Sequence, residues 1–273
     1  MSDFREYLRA KRAVDDRALN RRVLEELRGE LPEGPLDVVE VGAGIGTGIV
    51  RLLEWEVLPE AVSYTAIDRR PGNVSAARER LLDRGFVEGD DGRLRRDETT
   101  VSLVAGDAFD VLGEGNEEYD LLVAQAFLDL VELDDALPAL LASLSPGGLA
   151  YFPITFDGET IFEPAHPLDD PVLEAYHRDM EREGSSETGR RLLSAIPAAG
   201  GEILAAGSSD WVVYPPYPDD ERLFLAHVLD TIEGALAGDL GDGLEEWLAA
   251  RRGQLERGEL VYVAHQLDVL CRG

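Results

Sequence analysis

The stretch Glu40-Val41-Gly42-Ala43-Gly44-Ile45-Gly46-Thr47-Gly48 sets four glycines within seven residues directly behind an apolar run and one acid. Glycine at that density leaves bare backbone that a ligand can approach closely, and it permits turns that other residues resist. Two further acids close apolar runs: Asp68 in Tyr64-Thr65-Ala66-Ile67-Asp68 and Asp107 in Leu103-Val104-Ala105-Gly106-Asp107. Carboxylates at such positions accept hydrogen bonds from hydroxyl and amino groups. The set suits a nucleotide-like ligand, and three such ligands make different demands. A triphosphate loop requires Gly-Lys-Ser/Thr, but Lys11 is the only lysine in the chain. A dinucleotide fingerprint requires G-x-G-x-x-G, whose last position is Thr47 counted from Gly42 and Ile49 counted from Gly44. Neither ligand fits.

What remains is an acid followed by G-x-G-x-G, namely Glu40, Gly42, Gly44 and Gly46. Together with Asp68, with Asp107-Ala108, and with Leu144-Ser145-Pro146-Gly147-Gly148-Leu149-Ala150-Tyr151-Phe152, this order resembles the class I S-adenosylmethionine (SAM)-dependent methyltransferases over residues 36 to 155. The resemblance implies SAM as cofactor. It further implies that Glu40 orients the glycine loop and the amino-acid end of SAM, that Asp68 accepts from the ribose hydroxyls, that Asp107 accepts from the adenine amino group, and that the Ala108 N–H faces the ring. Asp107 also has the position of a helix N-cap, and the two roles are compatible. Gln125, at the end of the fourth strand, joins the cofactor set.

Methyl transfer from a sulfonium needs an in-line nucleophile and a site that positions it, so neither a metal nor a covalent intermediate is required. A general base is needed only where the acceptor carries a proton. Some members that act on amino nitrogens of bases or glutamine carry Asn/Asp-Pro-Pro-Tyr/Phe after the fourth strand. Here that slot reads Ala124-Gln125-Ala126-Phe127-Leu128-Asp129, which argues against that subgroup and leaves Phe127 and Asp129 as rim residues. The segment 156–188 holds Asp157, Glu159, His166, Tyr176 and His177 beside Phe156 and Phe162. His166, His177 and Tyr176 are its catalytic candidates, although either histidine could equally serve a structural purpose. Tyr7, Lys11 and Arg12 on the first helix are further residues that could face an acceptor. His265, on one strand face with Val261, Val263 and Leu267, reads as a buried structural histidine.

These residues need a frame. From residue 36 onward, short apolar runs alternate with helical periodicity, the pattern of a parallel sheet flanked by helices. Strands are expected at 36–41, 62–68, 100–107, 119–127, 149–156, 201–209 and 259–272. A helix follows the glycine loop, and another runs from Pro71 toward Gly85. A third has Leu133, Ala136, Leu137, Leu140, Leu141 and Leu144 on one face, with Pro146-Gly147-Gly148 as its stop. Shorter helices are expected near 171–183 and 186–198, and two longer ones on Leu225 to Leu236 and Leu244 to Leu255. Residues 86–98 read as an exposed loop. The expected fold is three-layer Rossmann-like α/β, a mostly parallel seven-stranded sheet with helices on both faces. Residues 1–30 form a helical cap on a SAM-binding domain of 31–273, with substrate-cover inserts at about 156–188 and 208–259.

Of the 273 residues, 26 are basic and 55 acidic, a net charge of −29, and 44% are hydrophobic. Acids with arginine in place of lysine look like the proteins of salt-in halophiles, where ionic strength screens the self-repulsion. That surface disfavours nucleic acid, which requires a basic stripe. With Cys271 as the only cysteine, no intramolecular disulfide can form. No apolar run approaches the ~20 residues of a membrane span, and the N-terminus has no signal-like core. The chain therefore reads as a cytoplasmic enzyme methylating a small molecule. An NAD-dependent oxidoreductase, a non-catalytic SAM-binding protein and an RNA methyltransferase are the alternatives.

Overall fold

The computed structural model describes residues 2–114, 118–182, 184–218, 220–238 and 241–273. Helices α1 (Ser2–Ala18) and α2 (Arg21–Glu30) come first. Asn20 caps α2 by accepting from the Val23 N–H at 3.2 Å, and Val23, Leu24 and Leu27 turn inward. Strand β1 (Leu36–Val41) leads through the glycine loop into α3 (Thr47–Glu54), then β2 (Val62–Asp68) and α4 (Pro71–Leu82), whose proline stands at the first turn. Next come β3 (Val87–Glu88), β4 (Leu94–Arg96), β5 (Thr99–Ala105), α5 (Ala108–Glu114) and β6 (Tyr119–Val123). A 3-10 turn at Leu128–Leu130 precedes α6 (Leu133–Leu141) and the 20-residue β7 (Leu144–Glu163). The remaining elements are α7 (Asp169–Met180), α8 (Thr188–Ala198), β8 (Glu202–Ser208), β9 (Trp211–Val213), α9 (Glu221–Ala235), α10 (Asp242–Arg257) and β10 (Val261–Arg272).

The strands form one sheet in the order β3-β4-β5-β2-β1-β6-β7-β10-β8, with β9 added beside β10. The segment β5-β2-β1-β6-β7 is parallel, and β10 enters antiparallel against both β7 and β8. Two buried apolar clusters cover its two faces. One gathers residues of α1, α2, α3, α4, α7, α9 and α10, the other residues of α5, α6 and α8. This is the expected three-layer α/β architecture, with ten strands among the described residues in place of the expected seven, the short β3, β4 and β9 being the additions. Because β1, β2, β5 and β6 run in the same direction, their carboxyl ends share one edge, where ligands of open α/β sheets bind. Among the described residues no helix is long and apolar enough to cross a membrane.

Four local expectations need correction. Residues 86–98 hold the β3–β4 hairpin, which pairs antiparallel with β5 and buries Phe86 and Leu94. Strands of two and three residues are too short to show a period, and their pairing comes from the neighbouring sheet. The Pro146-Gly147-Gly148 stretch lies within β7, not after a helix reaching Leu144, because α6 already ends at Leu141. The segment expected to begin a cover at residue 156 continues as β7 to Glu163, since β10 pairs with it as far as Val261. The aromatic stretch after residue 210 contributes β9 through Trp211, Val212 and Val213.

Candidate cofactor and acceptor site

The loop between β1 and α3 departs from the backbone region open to ordinary residues. Gly42, Gly44 and Gly46 have φ of +67°, +56° and +73°, where a Cβ is strained. A Cβ on Gly42 would also lie 2.7 Å from Cδ2 of Phe127, and one on Gly46 would lie 3.1 Å from Cβ of Ala77. The loop is thus pressed between α4 and the segment after β6, and a Cβ on Gly44 would meet Leu8 of α1 at 3.3 Å.

Glu40 supports this loop from beneath. It is 2% exposed, accepts a 2.9 Å bond from the Tyr64 hydroxyl, and also receives the Ile49 N–H. Burial pushes its carboxyl up to about 7, while Tyr64 and then Arg51 act to lower it. A Cβ on Gly48 would fall 2.1 Å from Glu40 Oε1, so the fourth glycine makes room for this carboxylate. Gly48→Ala is accordingly expected to destabilise the protein by about 1–3 kcal/mol despite alanine's better helix propensity. Chemical denaturation measures this, and a neutral or stabilising result would show that Glu40 can swing away.

Asp68 is 8% exposed. Its Oδ2 accepts the Gly44 N–H at 2.8 Å, while Oδ1 accepts the Arg70 N–H at 2.8 Å and Asn73 Nδ2 at 3.1 Å. Since a carboxylate offers about four acceptor positions, one remains on Oδ2. Asp107 is exposed in front of α5 and accepts the Phe109 N–H at 2.9 Å, so it does cap that helix. Ala108 follows, buried. Glu40, the glycines, Asp68, Asp107 and Ala108 all stand at or just past the carboxyl ends of β1, β2 and β5.

Gln125 stands just past β6, but its amide is engaged elsewhere. It accepts from Arg51 Nη1 at 2.7 Å and donates to Asp15 at 2.8 Å. Around it runs a buried polar network that sequence reasoning missed. Asp15 also receives Lys11 at 2.7 Å and the Trp211 indole at 2.9 Å, and Arg51 Nε donates to Asp16 at 2.5 Å. Nη2 of Arg51 is buried without a hydrogen-bond partner. The available signal was the four-residue spacing of Tyr7, Lys11 and Asp15, which puts them on one face of α1.

Of the three catalytic candidates, Tyr176 and His177 lie together on α7 with ring centroids 6.1 Å apart, and His166 stands apart from them at the entry to that helix. His166 lies beyond the far end of β7, and its Nδ1 accepts the Leu168 N–H at 3.2 Å at the entry to α7. There Asp169 binds Arg251 and the Trp247 indole, and His166 serves as a local turn cap. His177 is half-buried, its Nε2 3.1 Å from the Thr160 hydroxyl and its ring 5.5 Å from Phe156, and burial lowers its pKa. Tyr176 packs against the main core within electrostatic reach of Asp129. The buried position expected for His265 is also corrected. Its side chain is 36% exposed and sits at a register shift of β10, between Asp210 at 2.7 Å and Asp157 at 3.4 Å. The strand face it shares with Val261, Val263 and Leu267 is only half-covered.

Among solved structures, a SAM-dependent methyltransferase from Geobacter sulfurreducens in complex with S-adenosylhomocysteine is similar, at 16% identity over 93% of this chain and 91% of that one, with a TM-score of 0.52. Another from Thiobacillus denitrificans, also with S-adenosylhomocysteine, gives 16% identity, 93% and 92% coverage, and a TM-score of 0.50. A Bacillus halodurans protein provisionally assigned as a methyltransferase gives 12% identity, 91% and 97% coverage, and a TM-score of 0.56. The chain thus has the Rossmann-like fold of SAM-dependent methyltransferases. No family model and no curated protein matches it.

Proposed function

We propose that this chain binds SAM and transfers its methyl group to a small-molecule acceptor. The observation that carries the reading is the positive-φ glycine loop, underpinned by buried Glu40 and tied through Gly44 to Asp68, in a fold shared with proteins crystallised with S-adenosylhomocysteine. The residues fit the cofactor. Bare loop backbone would hold its amino-acid end, the remaining acceptor position of Asp68 suits a ribose hydroxyl, and Asp107 with the Ala108 N–H suits the adenine edge. Bound SAM supplies a methyl group already activated on a sulfonium. The chain's own part is to orient and to exclude water. Leu8 and Phe127, which cover the loop, must shift to admit a ligand and can then close on it. Gln125 acts through the network that fixes α1, positioning the cover and not touching the cofactor. On this reading the acidic surface is an adaptation to salty cytoplasm, and the acceptor is a metabolite, not nucleic acid.

Thermal unfolding in concentrated KCl tests the cofactor assignment. SAM or S-adenosylhomocysteine at a hundred times its dissociation constant is expected to add about 2.7 kcal/mol, a midpoint rise of roughly 5–10 °C. NAD and NADP are expected to leave the midpoint unchanged. A response to the dinucleotides alone would replace this reading with an oxidoreductase. Binding without turnover of any acceptor would leave a SAM-binding protein.

A further inference from the structure

Asp129 lies in the 3-10 turn that follows β6, two residues beyond the Phe127 ring that covers Gly42. It therefore stands on the ligand-binding edge, next to the place where the cofactor's reactive end belongs under the reading above. Its Oδ1 is closed off from solvent and has no hydrogen-bond partner. An unmet buried carboxylate oxygen loses its water without gaining a partner, so such an atom calls for a donor that arrives from outside.

The charged and titratable groups that act on Asp129 are Lys11 and Tyr7 from α1 and Tyr176 from α7. Lys11 is committed to Asp15 at 2.7 Å and lies 4.9 Å from the Trp211 ring. With that pair mutually neutralised, Asp129 contributes the unbalanced negative charge. Tyr7 stacks on Phe224 at 5.9 Å, and Trp211 meets the same ring edge-on at 5.2 Å. A carboxylate oxygen left without a partner, within electrostatic reach of Tyr7 and Tyr176, recognises a nitrogen that is cationic or rich in N–H.

We infer that Asp129 is a catalytic residue that binds a small basic amine acceptor and takes up its proton during methyl transfer. The inference rests on the methyltransferase reading. The Asp129 carboxylate takes a proton from the bound ammonium and so frees the nitrogen lone pair, which forms the new N–C bond to the methyl carbon while the C–S bond breaks with its electrons going to sulfur. Charge balances: cationic sulfonium, ammonium and carboxylate become neutral thioether, methylated ammonium and carboxylic acid, with a net charge of plus one on both sides. Burial raises the Asp129 carboxyl to about 6, against its own backbone N–H and the Lys11 charge, which suits a base working near neutrality. A basic aliphatic amine also agrees with the lack of the Asn/Asp-Pro-Pro-Tyr/Phe stretch.

The test uses the full chain and Asp129→Asn, first with S-adenosylhomocysteine alone by calorimetry, then saturated with it and titrated with benzylamine and benzyl alcohol. Wild type is expected to bind the amine at least roughly tenfold more tightly than the alcohol. That preference should fade as the pH falls below about 6, and Asp129→Asn should lose it while keeping its affinity for S-adenosylhomocysteine within about twofold. Equal binding of amine and alcohol, no binding of either, or an amine preference retained in Asp129→Asn would overturn the inference while leaving the cofactor assignment intact. Loss of S-adenosylhomocysteine binding in the variant alone would move Asp129 to the cofactor site. Failure of wild type to bind S-adenosylhomocysteine would instead remove the methyltransferase reading itself.

Discussion

Asp15→Leu is expected to cost about 3–5 kcal/mol of stability, the range for removing one partner from a buried ion pair. Asp15 is 2% exposed, and its two oxygens receive the Lys11 ammonium, the Gln125 amide and the Trp211 indole. Leucine would leave all three donors without an acceptor, with Lys11 itself only 7% exposed. At this chain length the midpoint of thermal unfolding should fall by roughly 10 °C. Because the bonds join α1 to β9 and to the end of β6, the loss should first loosen α1 from the glycine loop. Lys11→Met combined with Asp15→Leu is expected to recover a large part of the loss, since a matched apolar pair leaves no bare charge. A single-variant loss below about 1 kcal/mol would mean that water reaches the network and replaces the carboxylate.

The second large effect concerns pH. Glu40 titrates near 7 in the folded chain against an ordinary 4.5, because burial penalises its charged form. A raised carboxyl favours the folded state when protonated. Its contribution is therefore fully present below about 4.5 and is lost as the pH rises through 7. A displacement of this size corresponds to about 3 kcal/mol. Asp129, raised from 3.8 to about 6, has the same sign over a lower window. Denaturant unfolding in concentrated KCl, which screens the general repulsion of the net −29 charge, should show lower stability at pH 8 than at pH 5. Glu40→Gln should flatten the upper part of that profile. A stability that climbs between pH 5 and 8, or a slope unchanged in Glu40→Gln, would contradict the buried, proton-bound state of Glu40.

The cofactor side of the site was legible because its geometry is local. Positive φ at Gly42, Gly44 and Gly46 is a property of three residues and their immediate neighbours, and only glycine adopts it cheaply. The acids at the strand ends were equally readable, since an apolar run that stops at Asp68 fixes where that carboxylate emerges. Long strands and amphipathic helices showed their periods, and so the layer architecture followed.

The acceptor side was a different problem. His166 and His177 stand out by residue type alone, and the fold uses one in the turn before α7 and ties the other to Thr160. Along the chain Gln125 offers an amide to a ligand, but in the fold Asp15, 110 positions away, and Arg51, 74 positions away, engage both ends of it. The hairpin at 87–96 exists because β5 offers an edge to pair with. The parallel α/β frame, the glycine cradle and the acids beside it could be read along the chain, since backbone dihedral preferences and hydrophobic period are carried by adjacent residues. Only folding sets Lys11 against Asp15 in the Trp211 and Gln125 network and leaves Oδ1 of Asp129 without a hydrogen-bond partner, because the desolvation and pairing of a charge depend on residues brought together from distant parts of the chain.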